Sequence, residues 1–395
     1  MKVLMVATSY PRFCGDSAAV FLQYLARAIG RDGHDVHVLV PNDPLADDSL
    51  NDRRVTVHRF GYFPVKRPGL AYGSGILPNL RASRRLYLQV PFFLGALFVS
   101  LIVQALRVRP DVIHAHWVIP AGFVAVLVGK LLGIPVITTV HGGDAFVLRS
   151  PFFRWLRKFT LNNSSVWTSN TRSTANAAMN GCSGINAPEV IPMGVDVQLF
   201  ASGNRVAHRS GMDEQEQVIL YVGRLVKKKG CKVLVEAFRR VVEDYHGKVT
   251  LWFAGDGDDR VVLERLIAEL GLSGRVRFFG ARPNENLPDI YAGADLFVLP
   301  SVTEGQGVVL LEAMAGSVPV IANKVGGIGE VIENNITGWL VKPSDPGLLG
   351  ERICACLDAP HLRAVVAANA RNRVMSYDWP VVAQSFVELY EGASR

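Results

Sequence analysis

At 395 residues the chain exceeds what one compact core usually needs, which points to two domains. Hydrophobic residues make up 49% and charged residues 19%, a mix that excludes an intrinsically disordered chain. The net charge of +7 suits acidic small molecules or an anionic membrane surface, and the lack of a basic stretch interleaved with aromatics argues against nucleic acid as a partner.

The first predicted strand, Val3–Thr8, ends in Ser9-Tyr10-Pro11, and a helical pattern follows from about Ser17 to Ile29. Val36–Val40 and Val55–Phe60 read as further strands. A long hydrophobic helix comes next, then Val112–Ala115, a helix over about Gly122–Leu132, and Val136–Val140. Apolar strands separated by helices predict a parallel sheet covered on both faces. After Pro192 and a loop to about Gln215 the beat restarts, with strands at Val218–Val222, Val249–Ala254, Val276–Phe279, Leu296–Leu299 and Val318–Ile321. Two such runs predict an α/β protein of two doubly wound halves, residues 1–196 and 197–377, with a last helix over about 378–395 packing back on the first. Ligands of such sheets bind outside the carboxyl ends of the strands, so the following loops should carry the chemistry.

Leu86–Leu106 is 21 residues without a charge, bracketed by Arg84-Arg85 and Arg107, and by length it could cross a bilayer. It contains Gln89, Pro91, Ser100 and Gln104 and leads straight into the strand at Val112. A span there would put the flanks of one sheet on opposite sides of a membrane. A core helix with one face able to rest on an anionic membrane is expected instead, giving a cytoplasmic protein in peripheral contact with the inner membrane face. The five cysteines form no framework and read as reduced, cytoplasmic thiols, and Cys354 and Cys356, two apart on a helix, point in different directions. Val3–Ala7 is too short for the apolar region of a signal peptide.

The strongest chemical signal is Leu296-Phe-Val-Leu-Pro-Ser followed by Glu304-Gly305-Gln306-Gly307-Val308 and a helix that contains Glu312. A buried strand, a glycine-bearing turn and a helix start present free amides and a positive dipole end to an anion, best read as a diphosphate. Glu304 falls on the loop at the strand's carboxyl end, and Glu312, eight residues on, within reach of the same cleft. Acids beside a phosphate repel it, so these are suited to accept hydrogen bonds from sugar hydroxyls. Read from spacing alone, they are equally well solvated glutamates at a helix start. Arg224 and Lys229 follow the strand Val218–Val222, a forked donor and a mobile point charge suited to a departing diphosphate, or a solvated basic turn. Gly15 lies between the first strand and helix, where the residues by themselves read as a plain turn with Asp16 or Ser17 capping the helix. His141 ends a strand ahead of two glycines and is either a cleft-facing ring or a satisfied core histidine. His114-Ala-His116 lacks an evident third metal ligand and reads as strand-end structure, and the first turn lacks the G-x-G-x-x-G of a dinucleotide cofactor.

Taken together, His141-Gly-Gly-Asp144, Val190-Ile-Pro-Met-Gly-Val-Asp196, Gly223-Arg224…Lys229-Gly230, Gly255-Asp256-Gly257, Glu304-x7-Glu312 and Val325-Gly326-Gly327 resemble, in this order along the chain, the motifs of the retaining GT-B glycosyltransferases of family 4. The resemblance covers essentially the whole chain. It implies two Rossmann-like domains closing over a nucleotide-sugar donor, with Glu304, His141, Arg224 and Lys229 in the catalytic machinery. It implies donor contacts from Gly15, Asp144, Gly305, Gln306, Gly307, Val308 and Glu312, a glycan or lipid-linked acceptor, and no metal or other cofactor. Retention would follow front-face attack, the leaving diphosphate taking the acceptor's proton while the protein stabilises its growing charge. Two residues depart from the pattern: Met193 stands where the family has Asn, and Gln306 where it often has an aromatic. The rivals are a sugar-nucleotide epimerase of the same architecture, which would consume no acceptor, and a nucleotide-sugar-binding protein without turnover.

Overall fold

The computed structural model describes residues 1–395 except 17, 48, 65–68, 74, 144–149 and 395. The chain divides into two compact units, Met1–Met193 together with Trp379–Arg395, and Gly194–Asp378.

The first unit is built on seven parallel strands: β1 (Lys2–Val6), β2 (Asp35–Pro41), β3 (Val55–Phe60), β4 (Val112–His116), β5 (Val136–Val140), β6 (Val166–Ser169) and β7 (Glu189–Val190). Their order is β3-β2-β1-β4-β5-β6-β7. Val3 is in register with Val36 of β2 on one side and Val112 of β4 on the other, so the winding reverses between β1 and β4. β4 and β5 are buried along their whole length because helices cover both faces. The helix Val20–Arg31 packs on the C-terminal helix Trp379–Ser394. On the opposite face Gln89–Val108, Phe123–Leu132 and Pro151–Asn163 lie side by side, as right-handed connections require.

The second unit repeats the plan with six parallel strands: β8 (Gln217–Val222), β9 (Val249–Ala254), β10 (Val276–Gly280), β11 (Leu296–Leu299), β12 (Val320–Asn323) and β13 (Trp339–Val341), in the order β10-β9-β8-β11-β12-β13. Its core includes Tyr221, Trp252, Phe253 and Phe297, all fully buried.

Several boundaries differ from the sequence reading. The strand expected at Val318–Ile321 runs over Val320–Asn323, because the amide of Val318 is still held by Ala313 O at the helix end and Pro319 has no amide to donate. The segment Leu86–Leu106 becomes a tight turn, Arg84–Leu88, and a helix, Gln89–Val108. β6, β7 and β13 have no counterpart in the sequence reading. They are short, and β6 buries Thr168 and Ser169 where an apolar run would have announced a strand.

Candidate active site

In the second unit, loops leaving the carboxyl ends of β8, β11 and β12 lock together. Val302 N donates to Lys228 O and Gly327 N to Gly305 O, both at 2.9 Å. Two glycines permit the contact. A Cβ on Gly230 would lie 2.0 Å from Pro300 O, and one on Gly326 would lie 1.8 Å from Glu304 O. Both residues also have positive φ, which favours glycine. The lysine-rich turn and the Val325-Gly326-Gly327 turn therefore clamp the 300–307 loop from two sides.

Within this clamp Lys229 Nζ donates to Glu304 Oε2 at 2.5 Å, and Ser301 Oγ donates to the same oxygen at 3.1 Å. The pair is shielded, with side-chain exposures of 18% and 14%, so it outweighs an ordinary surface pair. The helix Val308–Ala315 begins beside it at Gly307 with no side-chain cap, so the positive end of the helix lies next to the pair. Arg224 is exposed and, among the described residues, forms no ion pair; its carbonyl accepts a hydrogen bond from Tyr221 Oη at 2.9 Å. Gln306 is buried, so the family's aromatic is replaced by a side chain turned away from solvent.

Glu312 has a different setting from the one its spacing suggests. The helix starts only after Gly307, which puts Glu312 about one turn inside, with the residue 6% exposed. Tyr291 Oη donates to Glu312 Oε2 at 2.8 Å, and Asn284 supplies a second hydrogen bond. Burial pushes the carboxyl up to about 7 in spite of both. Tyr291 and Asn284 were missed in the sequence, where nothing near either residue signals a partner for a distant acid.

In the first unit Gly15 adopts a φ of 85° in the loop after β1. The neighbouring Asp16 is buried, and its carboxylate accepts from Arg12 Nε at 2.6 Å, Arg12 N at 3.0 Å and Ala18 N at 3.3 Å. Burial raises this carboxyl, but the hydrogen bonds and charge of Arg12 outweigh that and hold it below its usual range. The acid beside Gly15 is thus neutralised within its own loop.

His141 follows β5, its Nε2 3.0 Å from Nδ1 of His116 and its ring centroid 4.9 Å from that of Phe21. His114 is held by Tyr390 Oη on Nδ1 and Thr139 Oγ1 on Nε2, each at 2.7 Å. Burial pushes His114 and His141 down to about 3 and His116 well below the ordinary range, so all three are neutral near pH 7. His114 and His116 are strand structure, as their spacing suggests, but His116 also orients His141. Among the described residues, the buried Tyr10 Oη, His116 Nε2 and Asn170 Oδ1 at these strand ends have no hydrogen-bond partner. Such orphans at the ligand-binding edge of a parallel sheet mark a place for a ligand or water. Tyr10 and Asn170 were missed in the sequence, although a polar residue just after a strand was the available signal. Asp144 lies outside the described residues.

Residues 18–199 match the family model described as Glycosyltransferase Family 4, and residues 205–373 the one described as Glycosyl transferases group 1. A D-inositol 3-phosphate glycosyltransferase of Corynebacterium urealyticum is 31% identical across 71% of this chain and 71% of its own length. The chain belongs to the group 1, family 4 glycosyltransferases. An N-acetyl-alpha-D-glucosaminyl L-malate synthase of Bacillus anthracis is 27% identical over 95% of this chain and 92% of its own length. The structure of Anabaena HepE in complex with UDP and glucose superposes with a TM-score of 0.77 at 22% identity, covering 99% of this glycosyltransferase and 100% of HepE. That likeness establishes the GT-B fold, of which the two parallel sheets are the two halves.

Proposed function

We propose that this glycosyltransferase moves a hexose-type sugar from a UDP- or GDP-sugar to a glycan or lipid-linked acceptor in glycolipid or surface-polysaccharide assembly, with retention at the anomeric carbon. The observation that carries the reading is the shielded Lys229–Glu304 pair beside an uncapped helix start. HepE, which shares the fold, holds UDP and glucose, and this supports a sugar nucleotide as donor.

In this reading Lys229 and the exposed Arg224 hold the diphosphate, Gly305, Gln306, Gly307 and Val308 lie against the donor, and the positive end of the helix that starts at Val308 stabilises the charge that grows as the glycosidic bond breaks. Arginine and lysine thereby neutralise the leaving group without a metal or other cofactor. Glu304 accepts hydrogen bonds from the sugar, and Glu312 from the ribose. Gly15, His141 and Asp144 are assigned to the donor as well, His141 as a neutral ring that hydrogen-bonds without adding charge. A leaving diphosphate oxygen takes the acceptor's proton.

Replacement of Glu304 tests the reading. Glu304→Gln keeps the shape and removes the charge, so kcat should fall by about a hundredfold or more. Lys229, released from its partner, should bind nucleoside diphosphate at least as tightly as before. Lys229→Ala should weaken the same affinity by about ten- to a hundredfold. Steady-state kinetics and calorimetry read both, and wild-type turnover by Glu304→Gln would overturn the assignment.

A further inference from the structure

The helix Gln89–Val108 has two apolar faces, and only one of them is used. Phe93, Leu97, Leu101 and Ala105, four residues apart, are buried in the core of the first unit. On the opposite side Leu88, Phe92, Val99, Val103 and Leu106 are exposed, Leu88 at 70% and Leu106 at 60%. Their spacing of three, four and seven residues places them on one stripe about 30 Å long. A surface helix of a globular domain normally turns charged or polar residues outward, and this one does not. Exposed apolar residues also stand on the next two helices of this face, Leu131 on Phe123–Leu132, which packs on Gln89–Val108, and Phe152 and Trp155 on Pro151–Asn163, which packs on Phe123–Leu132.

Charge identifies what fits this surface. From Arg53 to Pro188 the chain has sixteen lysines and arginines against two acids, Asp111 and Asp144, a net of +14, so the rest of the molecule carries −7 of the total of +7. Arg84 and Arg85 stand at one end of the stripe, and Arg107 and Arg109 at the other, all exposed. Basic groups at both ends of an apolar stripe suit a helix lying flat at the boundary of headgroups and acyl chains, where long side chains reach back to phosphates. Insertion as a span does not fit, because the buried face is locked in the core and the flanking strands β3 and β4 belong to one sheet.

We propose that this three-helix face docks the protein on an anionic phospholipid bilayer, with the Gln89–Val108 stripe in the interface plane. The proposal is independent of the sugar-transfer reading, because its test involves neither donor nor acceptor. The full-length protein should sediment with equimolar phosphatidylcholine–phosphatidylglycerol vesicles, bind pure phosphatidylcholine weakly, and be released by high salt. Phe92→Glu/Val99→Glu, changes to exposed side chains, should lower the partition coefficient by about a hundredfold while leaving the melting temperature in place. Arg84→Gln/Arg85→Gln should lower it by about tenfold and reduce its salt dependence. Failure of the wild-type protein to bind phosphatidylglycerol vesicles, or wild-type binding by the Phe92→Glu/Val99→Glu variant, would overturn the proposal. So would resistance of the bound protein to alkaline carbonate, which would mean a span, or a dimer that the same variant dissolves, which would mean that a second copy covers the stripe.

Discussion

The buried titratable groups of the two units are moved toward neutrality by burial from opposite sides. In the first unit three imidazoles are driven down by burial, and in the second a carboxyl is driven up by it. Each therefore tends to neutrality near pH 7, where an exposed carboxyl would be charged. Charge persists where a partner is built in, as with Asp16 of the first unit, which Arg12 holds below the usual carboxylate range in spite of burial. Burial thus sets protonation unless a counter-ion overrides it, and acid and base should move the stability of the two units in opposite directions.

The largest effect is expected in the first unit. An imidazole with a folded pKa below its unfolded value stabilises above about pH 6.5, and that stability is lost as pH falls, because the unfolded chain takes up the proton first. His114 and His141, each near 3 in the folded state, should cost about 2 kcal/mol apiece by pH 5. Hydrogen exchange of the β4 and β5 amides, corrected for intrinsic rates, should show protection falling by about 4 kcal/mol between pH 8 and pH 5. Protection that does not change with pH would break the comparison.

Glu312 should behave in the reverse sense. A carboxyl with a folded pKa near 7 favours the folded state fully below its unfolded value near 4.5, and that advantage is lost as pH rises to about 7. Glu312→Gln should therefore stabilise the second unit by up to about 3 kcal/mol at pH 8 and by little at pH 4.5. The same variant should bind nucleoside diphosphate more weakly, by about 1–3 kcal/mol. Melting curves at the two pH values, with calorimetry at one, separate the effects; equal stabilisation at both would mean that the carboxyl is not held near neutrality.

The smallest effect sharpens the account of the paired charges. Lys229→Met or Glu304→Gln alone leaves a half-shielded charge without its partner and should destabilise by about 1–2 kcal/mol. The double variant should recover most of that loss. A double variant as unstable as the sum of the singles would show that the pair contributes nothing as a pair.

The placement of several candidate site residues was legible in the sequence because it depends on local order. A buried strand, a glycine turn and a helix start place Arg224, Lys229 and Glu304 at the carboxyl ends of parallel strands, whatever surrounds them. The glycines at 230 and 326 were legible as motif positions, but the reason for them was not. Each excludes a Cβ from a carbonyl on a loop that is remote in sequence, Pro300 for Gly230 and Glu304 for Gly326.

Only the tertiary structure decided which groups pair and which are cut off from water. Lys229 meets Glu304 across 75 positions, and His114 meets Tyr390 across 276. The apolar residues of Gln89–Val108 do not say which face the core takes, since both faces are apolar; the packing of Phe93, Leu97 and Leu101 against the first unit's core decides it. Periodicity and turn chemistry act over a few residues and can be read along the chain. Desolvation and ion pairing depend on which distant segments cover a group, and that becomes definite only when the sheets are assembled.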